Sequence, residues 1–269
     1  MNWKKLQNGS DIRGVALEGI EGENVNLTEE VIMTIGKSFV CWLRKTMGVE
    51  NPTIAVGMDC RLSGNAIKGA FIKGAAEAGA NVVDCGLAST PAMFMTTISD
   101  TVKATASVMV TASHLPFNRN GLKFFTPKGG LDSKDIAAIL EIAENGEYAY
   151  DGAKGNATVM DFMSVYSRHI ADYIREGVKA DDYDHPLKGM HIIVDAGNGN
   201  GGFFEKILRS LGANTEGSQF LEPDGHFPNH IPNPENAEAM ASVCNAVETT
   251  NADLGVIFDT DVDRSAIIG

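Results

Sequence analysis

Apolar residues recur along this chain with two periods, and the periods alternate. Between Thr28 and Met47 they return every three or four positions, which predicts an amphipathic helix. Thr28 suits its N-cap, and Glu29 and Glu30 fall in the first turn, where a helix favours acids. Thr53 to Met58 is a short β-rich run. Ser63 to Ala78 reads as a helix stopped by Gly79, and Asn81 to Cys85 as the next strand. Ser107 to Val110 and Leu122 to Phe125 are further strands, and Ser133 to Glu144 is a helix closing at Asn145-Gly146. The pattern fades over Gly146 to Asn156 and resumes as a helix from Val159 to Glu176. After the polar stretch Ala180 to Lys188 come a strand at Met190 to Asp195, a helix at Gly199 to Leu211 and an apolar run at Leu254 to Phe258. The last strand, Ser265 to Ile268, meets the end of the sequence with no closing helix, which reads as a truncated product.

Strand–helix alternation with short connections predicts an α/β chain: two successive α/β/α layered domains with mixed, largely parallel sheets. The expected divisions are a first domain over 1–155, a linker and connecting helix over 156–186, and a second domain over 187–269.

Composition narrows the class. With 269 residues, 43% hydrophobic and 21% charged, the chain reads as a soluble globular protein of about two domains. No run of eighteen apolar residues is present, so no membrane partner is expected. The first eight residues lack the apolar core of a secretory leader, which points to the cytoplasm. Cys41, Cys60, Cys85 and Cys244 stand far apart and read as reduced, buried thiols. The net charge of −13 excludes nucleic acid as a partner. It also requires that any site for an anionic substrate be made locally positive by a few convergent cations.

Two stretches carry most of the chemistry. Val108-Met109-Val110-Thr111-Ala112-Ser113-His114-Leu115-Pro116 delivers a serine from an apolar strand into a loop, with Lys123 following on the next strand. A serine is a poor nucleophile unless a base or positive surroundings activate it, and His114 and Lys123 can supply these. A polar loop cap is the other reading. In Asp259-Thr260-Asp261-Val262-Asp263-Arg264, three carboxylates at alternate positions suit a hard cation such as Mg²⁺. A straight strand would separate Asp259 from Asp263 by about 13 Å, so one ion can be shared only if the chain curls. A solvated acidic turn is the alternative there.

Four further segments are weaker signals. Asp11-Ile12-Arg13-Gly14 and Asp59-Cys60-Arg61-Leu62-Ser63-Gly64 each offer an arginine suited to phosphate, the second just before a helix start. The glycine-rich run Asp195 to Gly202 lacks a lysine and the spacing of a nucleotide loop, and reads as a tight structural turn. His226 and His230 have a zinc-like spacing, but Pro223, Pro228, Pro232 and Pro234 forbid the helix it needs. An ordered loop bridging the domains is expected instead.

Taken in order, these motifs resemble those of the α-D-phosphohexomutase family, which includes phosphoglucomutases and phosphomannomutases. The serine loop resembles the family's T-A-S-H-N-P, the acidic loop its D-x-D-x-D-R, and Asp11–Gly14, Val56–Gly64 and Pro223–Pro228 also fit. The resemblance implies interconversion of hexose 1- and 6-phosphates through phosphoserine at Ser113 and a hexose 1,6-bisphosphate intermediate. It implies Mg²⁺ held by Asp259, Asp261, Asp263 and a phosphate oxygen on Ser113. Arg13 and His114 would stabilise charge or handle protons, and Lys123 would act as general acid–base. Arg13, Arg61, Lys123 and Arg264 would bind phosphate. The family's third and fourth domains have no counterpart here, so little turnover is expected from this chain alone, along with self-association through faces left uncovered. A phosphosugar-binding fragment is one alternative. A haloacid-dehalogenase-like phosphatase, whose D-x-D loop Asp259 to Val262 mimics, is another. Two departures stand out: Leu115 replaces the usual Asn, and Thr260 and Val262 replace small residues. β-Branched residues avoid positive φ, so the acidic loop is expected to curl with ordinary backbone angles.

Overall fold

The computed structural model describes residues 2–269, which divide into two compact units, one up to Asp161 and one over Phe162–Gly269. The first unit runs β1 (Gln7–Asn8), β2 (Asp11–Val15), α1 (Glu29–Met47), β3 (Thr53–Met58), α2 (Gly64–Glu77), β4 (Asn81–Leu87) and α3 (Thr90–Ile98). It continues with β5 (Ala106–Val110), β6 (Arg119–Thr126), β7 (Gly129–Gly130), α4 (Ser133–Asn145) and β8 (Ala157–Val159). One sheet joins them in the order β1-β2-β6-β5-β3-β4-β8, with β7 paired to β6.

The sheet is mixed, as the alternation predicts. β5, β3, β4 and β8 are parallel, whereas β6 is antiparallel to both β5 and β2. The antiparallel share is larger than strand–helix alternation suggests because β6 follows β5 through a loop, with no crossover helix. Helices α1, α2 and α4 cover one face, packing Phe39, Phe71 and Ile139 over Val56, Val108 and Phe124. Helix α3 covers the other: Ser107 donates to the Met93 carbonyl at 2.6 Å, and Phe94 meets Phe125 edge-on at 6.2 Å. With both faces covered, all five residues of β5 are buried.

Thr28 caps α1 as the sequence suggests, accepting from the Val31 N–H at 3.3 Å. The stretch 146–156, where the periodicity fades, is tied into the first unit. Its Tyr150 lies under Arg44 at 4.0 Å, and the Gly155 N–H donates to Ala76 at 2.9 Å. Residues 157–159 then add a parallel strand to β4, so the following helix starts at Phe162 rather than Val159 and belongs to the second unit.

That unit contains α5 (Phe162–Val178), β9 (Ile192–Asp195), α6 (Phe203–Ser210), α7 (Ala237–Thr250), β10 (Leu254–Phe258) and β11 (Ser265–Ile268). β10 is parallel to β9 and antiparallel to β11. Ala171 of α5 and Ile207 and Leu208 of α6 pack against Ile192 and Val194. α7 lies elsewhere on the sheet, with Val243 against Ile257. Among the described residues, no helix is long and apolar enough to cross a membrane.

Candidate active site

Strand β5 ends at Val110 and its chain leaves the sheet at Ala112, which places Ser113 in a loop closed by the start of β6. Ser113 is left-handed, with φ +53°, and only 5% exposed. A non-glycine residue holds this conformation only where its surroundings impose it. Here they do. The Ser113 N–H donates to Thr111 Oγ1 at 2.8 Å, and Thr111 Oγ1 in turn donates to Asp59 Oδ2 at 2.7 Å. Asp59, fully buried, also accepts from the Arg61 N–H at 3.0 Å.

The sequence assigns Arg61 to substrate phosphate; the structure gives it another task. Its side chain is 1% exposed and lies beneath the serine loop, paired with Asp59 at 3.3 Å. It donates to the carbonyls of Pro116 at 2.8 Å, Leu115 at 2.6 Å, Arg119 at 3.2 Å and Ser113. A planar guanidinium with five N–H groups can satisfy several loop carbonyls at once, which lysine cannot. Arg61 is a strut of the loop.

Within the first unit, two of the other expected cations, Arg13 and Lys123, do come together. β2 pairs with β6 in the register Arg13↔Gly121 and Asp11↔Lys123, so Asp11, Arg13 and Lys123 share the sheet face opposite Ile12 and Leu122 of the main core. Gly121 makes the approach possible. A Cβ there would lie 2.3 Å from the Ile12 carbonyl and 2.9 Å from Arg13 Cγ. Arg13 is held by Asp11 at 2.8 Å and donates to the Ala112 carbonyl at 3.3 Å, one residue from Ser113. His114 is exposed, and its Nδ1 lies 3.5 Å from Ser113 Oγ, the outer limit of a hydrogen bond.

In the second unit the acidic loop curls between β10 and β11. The N–H groups of Asp263 and Arg264 both donate to Asp259 Oδ1 at 3.1 Å, and Arg264 grips Oδ2 through Nε at 3.2 Å and Nη2 at 2.9 Å. The curl brings carboxylate oxygens of Asp259, Asp261 and Asp263 within 4.8 Å of one another. It does not use ordinary angles throughout, contrary to the sequence expectation: Val262 sits at φ +64°. Turning the chain back so that two N–H groups meet the Asp259 carboxylate outweighs the cost of a left-handed β-branched residue, about 1–2 kcal/mol.

Burial, together with the charges of Asp261 and Asp263, pushes the Asp259 carboxyl up to about 7, although Arg264 opposes them. Three hard oxygen donors that disfavour their own full ionisation fit a divalent cation such as Mg²⁺.

Two family descriptions match the chain. Phosphoglucomutase/phosphomannomutase alpha/beta/alpha domain I covers residues 4–149, and domain II covers residues 165–269. The chain belongs to the phosphoglucomutase/phosphomannomutase family. A phosphoglucomutase of Neisseria meningitidis serogroup B is 32% identical over 253 residues, which are 94% of this chain and 51% of the relative. A phosphomannomutase/phosphoglucomutase of Pseudomonas aeruginosa is 30% identical over 260 residues, 96% of this chain and 52% of the relative. The crystal structure of a phosphoglucomutase/phosphomannomutase family protein from Burkholderia thailandensis matches with a TM-score of 0.77 at 27% identity, over 97% of this chain and 53% of that one. The chain thus spans about half the length of the curated relatives it matches.

Within the second unit, the glycine-rich run serves as a shelf for the acidic loop. Gly199 lies so close to it that a Cβ would stand 2.9 Å from Thr260 Cα, and the Asn200 N–H donates to the Thr260 carbonyl at 2.9 Å. The two histidines with zinc-like spacing point to separate partners. His226 is exposed on Asp224 at 2.8 Å, and His230 is buried on Asp195. The loop that carries them is stitched to its own unit through Asn229–Asn198 at 2.7 Å and Asn198–Glu222 at 2.9 Å. Sequence reasoning passed over Asp59 and Thr111 as the residues that hold Ser113. The signal was present as an aspartate and an arginine two apart at the end of one strand, with a threonine two residues before the serine at the end of its neighbour.

Proposed function

We propose that this chain carries the phosphoryl-transfer machinery of a phosphohexomutase, with Ser113 as the phosphoryl carrier and hexose phosphates as substrates. The observation that carries this reading is the brace on Ser113: Thr111, Asp59 and Arg61 hold a single serine in a left-handed turn at the mouth of a buried strand. A cap or a passive binding loop has no need of such restraint.

In the reaction, Ser113 Oγ attacks a phosphorus of a hexose 1,6-bisphosphate. The P–O bond to the sugar breaks, the serine gives up its proton, the sugar oxygen takes one up, and one hexose monophosphate departs; the phosphoserine so formed then gives its phosphoryl group to the free hydroxyl of the isomeric monophosphate, which regenerates the bisphosphate. His114 lies near enough to Oγ to take the proton, with Lys123 as a further acid–base group. Arg13 offsets charge beside the loop. Phosphoryl transfer depends mainly on positioning and charge stabilisation, which these groups provide. Asp259, Asp261 and Asp263 would hold Mg²⁺, which supplies positive charge to offset that of the phosphoryl group; Arg264 keeps Asp259 in place. Asp259 suits a ligand better than a phosphatase nucleophile, because both its oxygens are already engaged by Arg264 and backbone N–H groups.

The test is a partial reaction. The chain is incubated with glucose 1,6-bisphosphate and Mg²⁺, and the peptide containing Ser113 is weighed by mass spectrometry. Phosphate on that peptide, absent from Ser113→Ala, is the expected result. Phosphate on Asp259, or none at Ser113 in a folded chain, would overturn the reading.

A further inference from the structure

His230 and Asp195 form a buried pair apart from the groups assigned so far. Their side chains are 2% and 0% exposed, and His230 Nε2 lies 3.0 and 3.1 Å from the two Asp195 oxygens. Asp195 Oδ1 also accepts from the Gly197 N–H at 2.9 Å, and Oδ2 from Gln219 Nε2 at 2.7 Å. With N–H donors already on both Asp195 oxygens, the imidazole Nε2 is placed to donate to the same carboxyl group. The other nitrogen, Nδ1, faces the Ile231 carbonyl at 3.1 Å, an acceptor only, so it must donate as well. An imidazole that donates from both nitrogens is an imidazolium. Of the other groups near it, the Phe220 ring lies edge-on at 5.4 Å, and Glu238 at the start of α7 adds negative charge that favours the cation. Burial alone would lower the histidine's pKa, but the Asp195 hydrogen bond and the Ile231 carbonyl outweigh it, and the net shift is upward.

The position of the pair matters as much as its charge. Asp195 ends β9, whereas His230 belongs to the proline-rich loop 222–236, so the pair pins that loop to the sheet. Three residues further on, Asn233 accepts from Arg264 Nη1 at 3.3 Å, and Glu235 pairs with the same guanidinium at 3.7 Å. Arg264 is the residue that grips Asp259. A continuous run of contacts therefore joins His230 to the acidic loop within one unit.

We propose that His230 is a positioning residue for the metal loop: held as an imidazolium on Asp195, it fixes the loop whose Asn233 and Glu235 brace Arg264 against Asp259. The proposal rests on reading Asp259, Asp261 and Asp263 as ligands of a divalent cation. A purely structural histidine would affect stability alone, whereas this one sets cation affinity.

Two measurements on the full chain decide it. The first labels the six histidines with ¹⁵N and identifies His230 by its loss in H230N. Both its nitrogens should stay protonated above the ordinary histidine value of about 6.5; a neutral ring with one bare nitrogen there would overturn the proposal. The second titrates Mg²⁺ into wild type, H230N and D195N by calorimetry, with circular dichroism confirming the fold. Each variant should bind Mg²⁺ about tenfold more weakly, the lower end of what outer partners of metal sites contribute. Unchanged affinity in a folded variant would overturn the positioning role. D195N decides the matter if H230N fails to fold. A wild type that takes up no Mg²⁺ would overturn both the ligand reading and this proposal. That outcome is distinguishable from failure of the His230 role alone, in which the wild type binds Mg²⁺ and the variants bind it equally well.

Discussion

The guanidinium of Arg61 holds the carbonyl of Ser113, so the residue proposed to carry the phosphoryl group is anchored from below by a buried charge. Arg61 shapes the loop through four carbonyls and pairs with Asp59, which orients Thr111. Removing it strands a buried carboxylate and several carbonyls at once. Arg61→Met is expected to cost about 3–5 kcal/mol, as breaking one side of a buried pair does. A urea denaturation midpoint measures this. Arg61→Lys should recover only part of the loss and leave Ser113 phosphorylation slow, because a lysine cannot serve four carbonyls. Full recovery in the lysine variant would show that charge alone suffices.

Ser113 itself allows a backbone test. At φ +53° a glycine is at ease and an alanine is not. Ser113→Gly should therefore be more stable than Ser113→Ala by about 1 kcal/mol, although both lack the hydroxyl. Thermal or urea unfolding of the two variants side by side checks the difference. Equal stability would mean that the loop relaxes to ordinary angles once the serine is gone.

Much of this was legible in the sequence, and what was missed has physical causes. The amphipathic period of α1 and its Thr28 cap could be read directly, as could the two chemical loops. Helix α3 escaped notice because Thr90–Ile98 is apolar nearly all round and rich in threonine, so it carries no helical stripe. β2 was read only as an arginine-bearing loop, since Asp11–Val15 places polar residues on the sheet face that holds Lys123. The role of Arg61 was invisible for a different reason. An arginine before a helix start suits an external phosphate and internal carbonyls equally well, and only the packing tells them apart. The Val262 backbone was misjudged because intrinsic preference was weighed without the two N–H groups that the turn brings onto Asp259.

The acidic loop makes the stability of the metal-free chain depend on pH. The Asp259 carboxyl rises from 3.8 to about 7 on folding, so between these values the folded state holds a proton that the unfolded state has lost. Stability is then greatest below the lower value and falls as pH rises through the window. Mg²⁺ removes this dependence, because binding favours the ionised form and displaces the proton. Melting curves with EDTA should therefore fall from pH 5 towards pH 8, and those with saturating Mg²⁺ should be nearly level; stabilisation by Mg²⁺ grows with pH. A Mg²⁺ effect that is independent of pH would contradict the assignment.

The brace under Ser113 carries one more residue between its two charged members. Cys60, half-buried, separates Asp59 from Arg61. Partly exposed, it stands between the two charged members of the brace, so its rate of alkylation reports on how they are packed. Cys85, buried and with its thiol pushed up to about 12, supplies an unreactive internal reference in the same unit. The protein thus carries its own reporter on the brace of the serine loop, with no label to be engineered in.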